Sequence, residues 1–370
     1  MKKILSLIVS LVFCTVLFAG CAKTPASNSD GSKGSETSKK TLKVALLIPG
    51  NLGDKSFFDA ANNGIKLIKS ELGAETKVVE MGTDQTKWEP TLQDISEGDW
   101  DIIISGNSAS ELLNTIADKY PDKKYINFDN ATDKASKNVY AMSYKTNEVS
   151  FLAGALAGLV TKSDMPLANK DNVIGFLGGM DIPGINDFLV AYIQGAQNVN
   201  PYVKVITSYA GSFTDPAKGK EISNAQYSSK ADISFNVAGG TGLGLIDSAT
   251  ENNKYAIGVD SDQAMIYKAT DANKASHIVS SAVKNIDKAV LDAVKRYQAG
   301  TLKYGVNDSL GLKENAVGLA KNEYYNALPQ NIKDKLDELT TKVSSGEIKV
   351  KSGFTMSAGE IEAFRNSVKP

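Results

Sequence analysis

Seven short segments of this chain carry the residue types that hold small molecules: glycine, or amide, hydroxyl, carboxylate and aromatic side chains. They are Pro49 to Phe57 (Pro-Gly-Asn-Leu-Gly-Asp-Lys-Ser-Phe), Gly106-Asn107-Ser108, Phe128-Asp129-Asn130, Gly178-Gly179-Met180, Gly211-Ser212-Phe213, Ala238 to Gly242 and Asp260-Ser261-Asp262. Glycine permits close backbone approach, and a helix beginning just after such a turn offers free N–H donors. Carboxylates and amides at the same rim suit hydroxyls, and aromatic rings suit a flat ligand. Any one segment could be an ordinary strand-to-helix turn; together they form a pattern. Catalytic chemistry is served less well. One histidine, His277, and two cysteines, Cys14 and Cys21, leave little for a His/Cys metal site or a Ser/His relay. The run Gly239-Gly240-Thr241-Gly242-Leu243-Gly244 lacks the Lys-Ser/Thr of a P-loop and the acidic spacing of a dinucleotide fingerprint, so it reads as a tight turn. Neither a metal nor a cofactor is implied.

The elements that must position these segments alternate. Apolar runs read as strands at Lys43–Ile48, Lys77–Glu80, Asp101–Ser105, Lys124–Asn127, Val139–Ser143, Val173–Leu177, Val203–Tyr209, Asp232–Val237, Tyr255–Val259 and His277–Ala282. Helical spacing separates them, as in Phe57, Ala61, Gly64, Ile65, Ile68 and Leu72, and in Ile286, Val290, Val294 and Tyr297. Strands alternating with helices give parallel sheets covered on both faces. Ten strands exceed one short sheet, so the fold class is α/β with two doubly wound, Rossmann-like lobes. In such sheets ligands sit beyond the carboxyl ends of the strands, where the seven segments fall. Leu328 to Val343 reads as a further helix started by Pro329, packing on the second lobe.

The front of the chain has a different character. Lys2 and Lys3 precede an apolar run from Ile4 to Phe18, too short for a membrane span, which ends in Phe18-Ala19-Gly20-Cys21. This resembles a lipobox, predicting a signal peptide over 1–20, acylation of Cys21 and a flexible tether over 21–41 rich in Ser, Lys and Gly. The mature chain would then keep no thiol for a disulfide. With 41 basic against 42 acidic residues it also lacks the basic face that a nucleic-acid partner requires.

As an ordered set, further stretches are specific. Gly53-Asp54-Lys55-Ser56-Phe57, Ile174 to Met180, Gly211 to Lys220, Ala238 to Gly244, Ile257 to Gln263 and Ser281-Ala282-Val283-Lys284-Asn285 resemble the basic membrane protein family of substrate-binding lipoproteins, whose members include purine nucleoside receptors. The resemblance spans about Leu42 to Leu319. It implies a type I periplasmic-binding fold with a three-segment hinge; lobe one is expected at 42–146 plus 284–304, lobe two at 147–283 plus 305–370. It also implies roles at matching positions. Phe57 and Phe213 would sandwich a purine, one from each lobe, while Asp260 and Lys284 would hold ribose hydroxyls. Asp129 would face the ligand, with Asn107, Ser108 and Gly240 as polar neighbours. Two departures stand out: Phe58 follows Phe57 where many relatives have Asn, and Ile48-Pro49-Gly50 carries no acid for the base edge, none appearing before Asp54.

The residues alone leave alternatives open. Phe57 also suits the buried face of its helix, Asp260 a helix cap, and Lys284 a solvated helix start, although a cation there opposes the helix dipole. The function expected is capture of a nucleoside outside the membrane by a lipid-anchored monomer that serves an ABC permease and its ATPase. Another flat ligand such as riboflavin, or a sensing co-receptor role, is the alternative. A nucleoside hydrolase would want a clustered metal or a tuned acid/base pair, which the scattered carboxylates do not supply.

Overall fold

Five of the six residues of the first strand are buried, which a sheet with one wet face would not allow. The computed structural model describes residues 40–132 and 134–370; the expected signal peptide, Cys21 and the tether as far as 39 lie outside them. Thr41–Pro370 form one continuous unit. Its strands are β1 Lys43–Ile48, β2 Glu75–Glu80, β3 Ile102–Asn107, β4 Tyr125–Asn130, β5 Val139–Tyr144, β6 Val173–Gly178, β7 Lys204–Tyr209, β8 Ile233–Val237, β9 Tyr255–Asp260, β10 Ile278–Lys284, β11 Val306–Leu310 and β12 Val317–Leu319.

These strands make two six-stranded sheets, in the orders β11-β5-β4-β3-β1-β2 and β12-β10-β9-β8-β6-β7. Every pairing is parallel except β10 with β12. Both sheets wind alike, reversing order beside their first strands, β1 and β6. That reversal opens a crevice at the carboxyl ends of β1/β3 and of β6/β8. Helices cover both faces. Helix Phe57–Leu72 buries Ala60, Ala61, Gly64, Ile65 and Ile68 and ends at Gly73, whose φ of 65° suits glycine. Gly64 lets the backbone of Asp287 approach, so helix Ile286–Gln298 packs on the first lobe. Helix Thr146–Thr161 is almost wholly buried. A Cβ on its Gly154 would collide with the Tyr192 carbonyl, and one on Gly195 with the Phe151 carbonyl, so this helix and Pro183–Val199 meet backbone to backbone. Among the described residues no helix is long and apolar enough to cross a membrane.

Three crossovers join the lobes: β5 into helix Thr146–Thr161, β10 into helix Ile286–Gln298, and β11 into β12. They are tied to one another. Lys145 N donates to Leu310 O at 2.8 Å, Leu312 N to a Glu148 carboxylate oxygen at 2.8 Å, and Asn285 N to Ala316 O at 2.8 Å. All ten expected strands are present, and two boundaries of the expected lobes are corrected. Lys284 is the last residue of β10, so it belongs to the second sheet rather than the first lobe. The segment 305–370 is not wholly in lobe two, because β11 pairs with β5 of the first sheet over Val306–Leu310. The predicted C-terminal helix runs Gln330–Ser344 and buries Ile332, Leu336, Leu339 and Val343 in the same apolar cluster as Leu152 and Leu156. A last helix, Ala358–Ser367, begins with a reciprocal capping box between Ser357 and Glu360.

Candidate functional site

The loop after β1 is organised by two carboxylates. Asp54 accepts the backbone N–H groups of Ser56, Phe58 and Asp59 at 3.0, 2.9 and 3.2 Å, and Asp59 accepts those of Gly53 and Lys55 at 2.9 Å. Burial pushes the Asp54 carboxyl upward, and the three N–H donors oppose it. Asp54 thus does the work that a serine before a helix ordinarily does. Ser56 is released from capping and its side chain crosses to the second lobe. Fully buried, it donates to Asp260 Oδ2 at 2.6 Å. Ser261 Oγ donates back to Ser56 O at 3.0 Å, and Gln263 Nε2 to Lys55 O at 3.2 Å. The end of β9 and the loop after β1 are therefore stitched together.

Asp260 and Asn107 both adopt left-handed backbone, with φ of 60° and 54°. Non-glycine residues rarely do so, and such positions concentrate where a side chain has a job. The next helix, Gln263–Lys268, is capped by Asp262, which accepts from Met265 N, so the Asp260 carboxylate is not spent on capping. Burial raises Asp260 to about 6, against the Lys284 ammonium and the Ser56 hydroxyl, which lower it. Lys284, only 7% exposed, is no solvated lysine. Its Nζ lies 3.2 Å from Asp129 Oδ2, 4.8 Å from the centroid of the Phe57 ring and 5.1 Å from that of Tyr144. Asn107 Nδ2 donates to the same Asp129 oxygen at 3.0 Å.

The structure thus brings together Asn107, Asp129, Lys284, Phe57 and, through Ser56, Asp260. Phe57 is half-buried, with ring centroids of Phe58 and Phe128 at 5.2 and 5.6 Å. It opens its helix and packs against the core while one side of its ring meets the Lys284 ammonium. Phe213 belongs to a separate group: its half-buried ring lies on Gly179, where a Cβ would strike it, and Gly239 (φ 53°) sits beside it. Gly240 is close to the Phe213 carbonyl, and a Cβ there would be 3.9 Å from that of Asp54. Ser108 stands exposed, its N–H donating to Asn107 Oδ1 at 2.8 Å. Ser56, Phe128 and Tyr144 were not read as site residues. Phe128 adjoins Asp129 and Tyr144 ends a strand, so chain position is a usable signal for those two; Ser56 sits where a serine ordinarily caps a helix and carries no such signal.

The chain is similar to known proteins along most of its length. The family described as ABC transporter substrate-binding protein PnrA-like (Bmp) matches residues 41–353. Basic membrane protein A of Borreliella burgdorferi is 31% identical, over 95% of this chain and 96% of its own. A Lactococcus lactis protein named ABC transporter nucleoside-binding protein BmpA is 29% identical, over 95% of this chain and 99% of its own. The crystal structure of an ABC transporter solute-binding protein from Aeropyrum pernix superposes with a TM-score of 0.76 at 25% identity, over 89% of this chain and 99% of the other. The two-lobed α/β architecture is that of the periplasmic-binding proteins, and the chain belongs to the Bmp family of PnrA-like ABC transporter substrate-binding proteins.

Proposed function

We propose that this protein captures a nucleoside, purine nucleosides foremost, on the outer side of the membrane and delivers it to an ABC permease driven by its ATPase. It works as a monomer tethered through acylated Cys21 and carries out no chemistry on its cargo. The base lies between Phe57 and Phe213, stacking being worth roughly 1–3 kcal/mol per base and tolerant of base identity. The ribose hydroxyls donate to Asp260 and accept from Lys284, with Asp129, Asn107, Ser108 and Gly240 around them. One observation carries this reading: an almost buried ammonium, at a lobe crossover, held with carboxylates at strand ends of both sheets. Such a group is costly unless a polar partner uses it. The name of the Lactococcus lactis relative points the same way.

A second reading, another flat ligand such as riboflavin, is favoured by the base end. There Phe58 covers Gly50, so closely that a Cβ on Gly50 would lie 2.5 Å from the ring, and Asp54 is engaged in capping rather than offered to a base edge. Isothermal titration with adenosine, inosine, guanosine, uridine and riboflavin separates the two. Heat with purine nucleosides supports the first reading, heat with riboflavin alone the second, and silence with every nucleoside defeats the first.

A further inference from the structure

An ammonium carries three N–H donors. Lys284 commits one to Asp129 at 3.2 Å, and its surroundings are otherwise largely aromatic: the Phe57 ring at 4.8 Å and the Tyr144 ring at 5.1 Å. Tyr144 is the last residue of β5, directly before the first crossover, and only 7% exposed. Its buried hydroxyl has no hydrogen-bond partner among the described residues. A buried phenol that leaves its hydroxyl unused is being used for its ring, because an orphaned polar atom is a cost and no benefit. Tyr144 also forms part of the wall of an open cavity at the hinge, lined by Asn130, Lys145, Glu148 and Asp187. Tyr144 therefore touches both that cavity and, through its ring, the Lys284 ammonium.

We propose that Tyr144 is a positioning residue: with Phe57 it forms a two-walled aromatic slot that holds the Lys284 ammonium dry and aimed, so that its remaining donors meet the sugar hydroxyls of the ligand. Tyr144 and Phe57 come from the first lobe and Lys284 from the last residue of a second-lobe strand, so the slot exists only where the lobes meet. Cation–π contact of this kind strengthens as water is removed. The role of the slot rests on the proposed contact between Lys284 and a sugar, and the test separates the two ideas.

Adenosine and adenine are titrated calorimetrically into the wild type, Tyr144→Phe and Tyr144→Leu, and the Lys284 side-chain protons are followed by NMR in the ligand-free proteins. The expected result is that Tyr144→Leu weakens adenosine about tenfold and leaves adenine unchanged, while Tyr144→Phe, which keeps the ring, matches the wild type for both. The upfield ring-current shift of Lys284 should persist in Tyr144→Phe and shrink in Tyr144→Leu. Equal weakening of adenosine and adenine in Tyr144→Leu overturns the proposal, as does a Tyr144→Phe as impaired as Tyr144→Leu. If wild type binds no adenosine, the nucleoside reading fails, and the slot is still decided by the spectra: Lys284 shifts unmoved in Tyr144→Leu overturn it, and shifts lost there sustain it.

Discussion

The two ends of the site are built on opposite principles. At the polar end the partners lie far apart in the chain and in different lobes: Asp129 with Lys284 over 155 residues, Ser56 with Asp260 over 204. At the aromatic end the supports are local: Phe58, which meets Phe57 at 5.2 Å, rests on Gly50 of its own lobe, and Phe213 rests on Gly179 of its own. The polar end therefore exists as a unit only when the lobes are together, whereas the aromatic end is prepared within each lobe separately. On the proposed function, closure would be a polar event and the rings preset surfaces for a flat ligand. Hinged lobes that meet around a bridging ligand are a recurrent device, and here the labour is divided between its two halves.

The strongest way to break this comparison is Lys284→Met. Removing one partner of a nearly buried ion pair costs roughly 3–5 kcal/mol, because the carboxylates left behind are uncompensated. Side-chain exposures of 8% for Lys284 and 16% for Asp129 put this pair in that class. That cost should appear as a drop in thermal unfolding temperature; nucleoside affinity should separately fall about a hundredfold, since losing a buried charged partner at a binding surface costs roughly 2–5 kcal/mol at 1.4 kcal/mol per decade. Adding Asp129→Asn should restore much of the stability and none of the affinity. A Lys284→Met protein that binds as well as wild type would show that the ligand does not depend on this pair and that the Ser56–Asp260 contact alone serves the polar end.

Why that pair was readable, and Ser56 was not, is a matter of where information sits in a chain. Asp129 and Asp260 directly follow apolar runs, and parallel sheets put such residues at the crevice, so periodicity points to them; Lys284 is singled out only by the resemblance carried by Ser281-Ala282-Val283-Lys284-Asn285. Ser56 precedes a helix, where serine ordinarily caps; only the three N–H bonds taken by Asp54 free it to reach Asp260, and those are set by loop geometry. The same limit explains the missed strands. In β11, Val306-Asn307-Asp308-Ser309-Leu310, exposed and half-buried residues alternate at a sheet edge, so no apolar run marks it. In β12 only three residues pair, and their partner, β10, is supplied by the fold. Both strands lie at the third crossover, which is why the lobe boundary was placed too early. What a strand does alone was legible; what it does because another element is beside it was not.

A smaller effect sharpens the comparison by setting Asp260 against Asp232. Burial raises both to about 6. Asp232 lies inside the second lobe, accepting from Thr161 Oγ1 at 3.0 Å and Asn169 N at 2.8 Å, while Asp260 faces Ser56, Lys284, Asp54 and Asp129. A carboxyl raised in the folded state holds its proton there after the unfolded chain has released it. Each group therefore contributes stability at pH below about 4 that is lost as pH rises through about 6. Asp232→Asn and Asp260→Asn should each flatten the decline of unfolding temperature over that window. Ligand binding should distinguish them, because sugar hydroxyls need the ionised Asp260. Wild-type affinity should fall roughly fivefold from pH 6 to pH 5, as one proton must leave for the ligand to bind. Asp232→Asn should keep that slope. A slope that disappears in Asp232→Asn would move the titrating group out of the cleft.

The mildest change, Phe58→Asn, asks whether the aromatic end selects the ligand or merely fills space. Phe58 is half-exposed, meets Phe57 edge-on at 5.2 Å and covers Gly50, so its removal costs part of a core phenylalanine, about 1–2 kcal/mol of stability. In exchange the base end gains an amide that can both donate and accept beside a ring edge, the feature that Ile48-Pro49-Gly50 lacks. A site with a hydrogen-bonding group rejects analogues that cannot use it more strongly than an apolar wall does. Inosine and guanosine should therefore gain several-fold over riboflavin in Phe58→Asn, while the contribution of the sugar, read as adenosine against adenine, stays as in wild type, because Asp260 and Lys284 are untouched. Competition titrations give both numbers from one protein preparation. An unchanged order of ligands would mean that Phe58 only supports Phe57, leaving base selection to the ring of Phe213 and the glycines under it; a changed sugar contribution would mean that the two ends are coupled, and that the division of labour between them does not hold.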